Sequence, residues 1–137
     1  MRVQEEERQK ILSRVMAVPE AISMKNKSRI LKMYDSFNPK FSSFEDVPDY
    51  SLVDGSRFRR FIEELSEIKS ASIDRQKVRL DFLAKDVALV TGVDDWRIET
   101  RGRVSKGRSR FTIIFWRRGT WKVIHEHFTR IPRQKDG

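Results

Sequence analysis

FTIIFWRRGTWKVIHEHFTRI, residues 111–131, is the stretch on which the fold turns. Two runs rich in β-branched and aromatic residues, Phe111 to Trp116 and Trp121 to Thr129, flank Arg117-Arg118-Gly119-Thr120. Such runs on either side of a short glycine-containing connection predict a β-hairpin. Side chains alternate between faces along a strand. Regular alternation puts Trp121, Val123, His125, His127 and Thr129 on one face, and Lys122, Ile124, Glu126, Phe128 and Arg130 on the other. Both histidines of the chain then share a face beside a tryptophan, which makes this hairpin the first place to seek a site.

Upstream of it the strand pattern continues. Val78, Leu80 and Phe82 alternate with Arg79 and Asp81, Lys85-Asp86 makes a turn, and Val87 to Val93 is a short apolar strand. Trp96 to Arg103 alternates again, and Gly102 to Gly107 reads as a basic turn. Before Ile73 the period changes. Ile11, Leu12, Val15, Met16 and Ile22 approximate the stripe of an amphipathic helix from Val3 to about Met24. Pro19 predicts a kink or break near Val18. Ser28 is placed to cap a short helix from Arg29 to about Asp35. Phe37 to Val53 has no helical period but carries four aromatics, which predicts an ordered loop. Asp54-Gly55-Ser56, with Asp54 as a turn or cap residue, precedes a helix from Arg57 to about Ile68 with Phe58, Phe61, Ile62 and Leu65 on its apolar face. Three helices before about five strands joined by hairpins make an α+β pattern, helices on one face of an antiparallel sheet.

The totals set bounds. A chain of 137 residues, 38% hydrophobic and 36% charged, fits one domain with one core. The expected ordered part is about 3–132, followed by a short basic C-terminal tail. With no cysteine there is no disulfide or thiolate metal site. No apolar run reaches the roughly 20 residues of a membrane span, and MRVQEEERQK has no signal-peptide core, so the expected location is the cytoplasm. Residues 1–100 hold 18 Lys/Arg against 18 Asp/Glu, whereas residues 101–137 hold 11 against 2, so the entire net charge of +9 sits in the last third. That field suits an anionic ligand, an acidic partner or nucleic acid, and it equally describes a solvated surface of strand edges and loops. No nucleic-acid reading motif is present, so nucleic acid ranks below a small molecule as a partner.

The order of these elements resembles the nuclear-transport-factor-2-like superfamily, and its SnoaL-like branch in particular. The matching stretches are Ile30-Leu31-Lys32-Met33-Tyr34-Asp35, Phe41-Ser42-Ser43-Phe44, Asp54-Gly55, Asp86-Val87-Ala88-Leu89-Val90-Thr91-Gly92 and the run from Arg117 to Thr129. The last is similar to the Trp-x-x-x-His-x-His-x-Ser/Thr ending of the calmodulin-dependent kinase association domain. The resemblance implies a cone, a curved antiparallel sheet wrapped around the helices with a pocket in its mouth, and a homodimer formed through the sheet. It implies no single chemistry, since the superfamily holds isomerases, cyclases, dehydratases and epoxide hydrolases beside members that only bind or assemble.

Candidate site residues follow. His125 and His127 suit acid–base work or ligand anchoring, and they equally suit bracing hydrogen bonds to loop backbone. Two histidines at i and i+2 lack a third ligand, so no metal or cofactor is expected. An isomerase or cyclase needs a buried carboxylate of raised pKa, for which Asp81 and Glu126 are the candidates. By alternation Glu126 faces away from the histidines. The resemblance to the kinase association domain implies inward arginines, and Arg97, Arg101 and Arg110 lie on the corresponding strands, where one could hold a carboxylate or phosphate through bidentate hydrogen bonds. Tyr34, Phe37, Phe44, Phe82, Trp96 and Trp116 line the expected mouth. The expected ligand-binding set is Tyr34, Phe44, Phe82, Trp96, Arg110 and His127. The expected ligand is a small, largely apolar molecule; the alternative is a non-enzymatic assembly module with a basic surface.

Overall fold

The computed structural model describes residues 2–132; the expected C-terminal tail lies outside them. Its elements are α1 (Arg2–Ser23), α2 (Lys27–Met33), β1 (Ser42–Phe44), α3 (Gly55–Glu63) with a 3₁₀ turn Glu64–Glu67, β2 (Ser70–Ala84), β3 (Val87–Thr100), β4 (Arg103–Arg118) and β5 (Thr120–Arg130). The order in the sheet is β1-β5-β4-β3-β2. The four long strands pair antiparallel, while β1 adds to the outer edge of β5 in parallel. The fold is therefore α+β as expected, with a mixed rather than purely antiparallel sheet, and the sheet is open. The expected separate strand at Trp96–Arg103 is instead the far half of a continuous β3, and the fifth strand is β1, hidden in the aromatic loop.

Local chemistry explains the other boundary differences. α1 runs unbroken through Pro19, which is buried against the core. Asn26, not Ser28, caps α2, accepting from the Arg29 N–H at 3.1 Å. Asp54 caps α3 as expected, accepting from the Arg57 N–H at 2.8 Å. A Cβ on Gly55 would come 1.7 Å from the Ser36 carbonyl oxygen, so only glycine lets α3 start this close to the chain leaving α2.

The concave face of the sheet carries Leu80, Ala88, Val90, Phe111, Ile113, Phe115, Trp121 and Val123, all buried against Ile11, Val15, Val18, Ile30, Phe58 and Ile62 of the helices. Three irregularities in the strand pairing bend the sheet around them, one of them at Leu83 near the end of β2. In β2, Lys77 and Val78 together oppose Gly92, with Lys77 at φ 54°. A Cβ on Gly92 would meet the Phe111 ring at 2.5 Å, so the glycine admits that ring. In β5, Ile114 pairs with His125 but Phe115 pairs with Val123, leaving Ile124 as an extra residue.

That bulge corrects the alternation reading of β5. An unpaired residue reverses the parity of everything after it. Trp121 and Val123 face the core, and beyond Ile124 the inward residues are Glu126 and Phe128; His125, His127 and Thr129 turn outward. The histidines therefore do not share a face with Trp121 and Val123.

Candidate functional site

The bulge delivers Glu126 into the packed interior. It sits opposite Ile113 on β4 and beside Ser43 on the parallel β1, and it is 3% exposed. The end of α2 supplies its first partner: the Tyr34 hydroxyl donates to Glu126 Oε2 at 2.7 Å. Tyr34 is fixed from the side by Phe58, stacked at 4.6 Å between ring centroids, and by the edge of Phe41. The residue after β1, Glu45, brings a second buried carboxyl close enough that its charge pushes the Glu126 pKa up. Two neighbouring carboxyls repel when both are ionised, which favours the protonated form of one of them.

Burial pushes the Glu126 carboxyl well above the usual carboxylate range, and the neighbouring Glu45 charge adds to the push. Burial likewise raises Glu45, although its contacts with Glu126 and Ser43 and the nearby His127 work against the rise. The Tyr34 phenol is driven well above its ordinary value by burial and by the Glu126 charge. The cluster thus joins a phenol and two carboxyls whose pKa values burial drives upward. Two oxygens in it lack a hydrogen-bond partner of good geometry, Glu45 Oε1 and Ser43 Oγ. Buried polar atoms are rarely left so.

Further along the concave face lies a second buried polar group. Arg75 donates through Nε and Nη2 to both oxygens of Asp94, each at 2.9 Å, and through Nη1 to the Val15 carbonyl of α1. Its guanidinium also lies 4.5 Å from the centre of the Phe111 ring. Burial would lower the Arg75 pKa, but the Asp94 carboxylate outweighs it and the net shift is upward. At the open end of the sheet, the Trp96 indole N–H donates to Ser109 Oγ at 3.0 Å, and the Ser109 hydroxyl donates to Asp46 at 3.0 Å. Arg130 Nε reaches the same Asp46 oxygen at 2.7 Å, with its guanidinium over the Trp96 ring. Asp46 adjoins Glu45, so this network is tied covalently to the carboxyl pair. Trp96 and Arg130 also line a groove of about 1,030 Å³ at that end.

Of the residues expected from sequence, Tyr34 reaches the carboxyl cluster and Trp96 the groove. Phe82 faces inward at the opposite end, beside Trp121 and under Arg8. Phe44 and His127 pair on the outer face, with ring centroids 5.2 Å apart. His125 lies on that face too, its Nδ1 2.9 Å from Ser42 Oγ, and burial lowers its pKa. Asp81 faces outward and pairs with Arg79 at 2.9 Å. Arg110 is exposed on the outer face between Val93 and Thr129. Among the described residues, no group of three metal-ligating side chains converges. Sequence reasoning missed Glu45, Asp46, Ser109 and the Arg75–Asp94 pair. The alternation of Ser109 with Phe111, Ile113 and Phe115 was the available signal for the serine.

Residues 11–133 match the family model described as a SnoaL-like domain. No sequence among the curated proteins matches the chain. Among solved structures, a proposed scytalone dehydratase from Novosphingobium aromaticivorans superposes with a TM-score of 0.81 at 10% identity, covering 94% of this chain and 87% of that one. A nuclear transport factor 2-like superfamily protein from Salmonella enterica reaches 0.81 at 10% identity, covering 98% and 97%. The association domain of C. elegans CaMKII reaches 0.71 at 19% identity, covering 91% and 96%. At these identities the likeness is one of fold.

Proposed function

The chain belongs to the SnoaL-like domain family, and on that footing we propose that it binds a small, largely apolar molecule within the cone and performs acid–base chemistry of the dehydratase or isomerase kind. The observation that carries this reading is the buried Tyr34–Glu126–Glu45 cluster. A carboxyl pair holding one proton suits both halves of a water elimination. The ionised carboxylate takes the proton from carbon, the protonated carboxyl gives its proton to the departing hydroxyl oxygen, and the pair ends with one proton again. In an isomerisation the same pair removes a proton beside a carbonyl and returns it elsewhere. Tyr34 would remain a neutral donor throughout, holding Glu126 or polarising a substrate oxygen. Glu45, whose Oε1 has no hydrogen-bond partner, would exchange the proton with the ligand, and the fold of the proposed dehydratase is in keeping with this role.

The test is a thermal-denaturation screen against small aromatic ketones and β-hydroxy ketones. A binder at one hundred times its Kd should stabilise the protein by about 2.7 kcal/mol. The stabilisation should fall in Glu45→Gln and Tyr34→Phe. A panel without any binder, or binders indifferent to both substitutions, would overturn the reading.

A second reading concerns assembly. Leu89, Ile114 and Trp116 form a half-exposed apolar strip on the outer face. We infer that a second copy of the chain covers it, in keeping with the fold shared with an association domain. Sedimentation should give a dimer, and Ile114→Glu should give monomer; a monomeric wild type rejects the inference.

A further inference from the structure

The positive charge of the last third is not spread evenly over the surface. It gathers on the ribbon made by the half of β3 and β4 that runs beside the last residues of β5 and past its end. There Arg97, Arg101, Arg103, Lys106 and Arg110 have no carboxylate partner among the described residues, while Arg108 is neutralised by Asp95 at 2.8 Å and Arg130 by Asp46 at 2.7 Å. Arg97 and Lys106 stand directly opposite one another across the two strands. Like charges in that relation destabilise a sheet, so the pair needs an explanation beyond folding.

Guarding a free edge is the ordinary explanation for strand cations. It covers Arg103 and Lys106, because β5 ends opposite Ser109 and leaves β4 unpaired beyond that point. It does not cover Arg97, which lies between Ser72 of β2 and Lys106, or Arg110, which lies between Val93 and Thr129. Both are interior to the sheet. Lys106, Arg108 and Arg110 occupy successive outward positions on β4, about 7 Å apart at about 3.4 Å per residue, so Lys106 to Arg110 spans about 14 Å. That length exceeds one small anion and fits an extended one. The groove of about 1,030 Å³ at this end is lined by four cations, Arg97, Lys106, Arg108 and Arg130, against two carboxylates, Asp74 and Asp95.

We propose that this ribbon and groove bind the phosphate backbone of a single nucleic-acid strand. The contact is electrostatic and independent of base sequence, since the cations are matched to phosphates and no free aromatic platform faces them. This surface is separate from the Tyr34–Glu126–Glu45 cluster, so the two readings stand or fall apart.

Fluorescence anisotropy with a labelled 15-nucleotide oligothymidylate tests it. With four phosphates engaged on a single strand, affinity should drop about 50-fold between 50 and 200 mM salt. Arg97→Ala with Lys106→Ala should weaken binding at low salt and shrink that drop to about 7-fold, as for two phosphates. Arg79→Ala, an outward arginine held by Asp81, should leave both unchanged. Undetectable binding at 50 mM salt would overturn the proposal. So would a double variant, confirmed folded by circular dichroism, that binds like wild type. Equal competition by polyglutamate would also overturn it, pointing to an acidic protein surface, and equal competition by tripolyphosphate would point to a small-anion site.

Discussion

Two carboxyl groups on the concave face are equally buried, Asp94 and Glu126, each 3% exposed. They are held in opposite ways. Asp94 has both oxygens on one guanidinium, whose third nitrogen donates to the Val15 carbonyl. Glu126 has no cation in contact; its neighbours are a phenol and a second carboxyl. Burying an ion is tolerable when a counter-ion and hydrogen bonds replace water, and otherwise the group gives up its charge. The same face thus contains a fixed charge pair that locks α1 to β2 and a carboxyl whose pKa burial drives up. The first is architecture, and the second is the feature worth testing as chemistry.

The largest effect should come from breaking the charge pair. Asp94→Ala leaves the Arg75 guanidinium buried without its carboxylate, and loss of one partner of such a pair costs about 3–5 kcal/mol. Urea denaturation would measure it. Replacing both partners, Arg75→Met with Asp94→Leu, should be far milder. A single variant no worse than the double would mean that Arg75 finds another counter-ion, and the contrast with Glu126 would collapse.

Removing the phenol probes the other side. Tyr34→Phe keeps the stacking on Phe58 but deprives Glu126 of its donor, and an unsatisfied buried polar group costs about 1–3 kcal/mol. The substitution should also drive the Glu126 pKa further up, because the hydrogen bond from Tyr34 favours the ionised form.

The third prediction concerns pH. Glu126 and Glu45 have folded-state pKa values raised above those of the unfolded chain. The folded state therefore retains protons that the unfolded state has released, and stability falls as pH climbs through the window from the ordinary carboxylate value to the raised one. The slope is about 1.4 kcal/mol per pH unit for each retained proton. Its loss is complete once pH passes the folded pKa. Glu126→Gln keeps shape and removes the titration, so its stability should depend on pH less steeply than wild type between pH 5 and 8. Parallel curves would show that Glu126 is ionised in the folded protein.

This contrast marks where sequence reading stops. Helix stripes, strand alternation and the Arg117–Thr120 connection carry enough pattern to place the elements, since period and turn chemistry are local. The site depends on a single residue. Ile124 is apolar in an apolar strand, and nothing about it announces a bulge; yet it decides that Glu126 rather than a histidine enters the core. The opposition of Glu126 to His125 and His127 was legible, because no irregularity intervenes between them. Glu45 could not be read as its partner, because the three-residue β1 that carries it to β5 is recognisable only from long-range pairing. Arg75 and Asp94 likewise meet through the β2–β3 register, which the bulge at Lys77 sets.

The smallest effect should come from Asp46, the acidic residue at the open end. It resembles Asp94 in taking an arginine, but its side chain is 15% exposed and Arg130 is 48% exposed. Ion pairs reached by water contribute about 0–1 kcal/mol, so Asp46→Asn should lower stability by no more than that. The local consequence should be larger than the global one. Asp46 is the shared acceptor of Ser109 and Arg130, and it orients the guanidinium over Trp96. Its charge also holds the residue next to Glu45 against β5. The substituted amide retains an acceptor oxygen but loses the ion pair, so Trp96 fluorescence should become more accessible to iodide quenching while the melting curve hardly moves. Should Asp46→Asn instead cost as much as Asp94→Ala, the open end would be as tightly built as the α1–β2 lock.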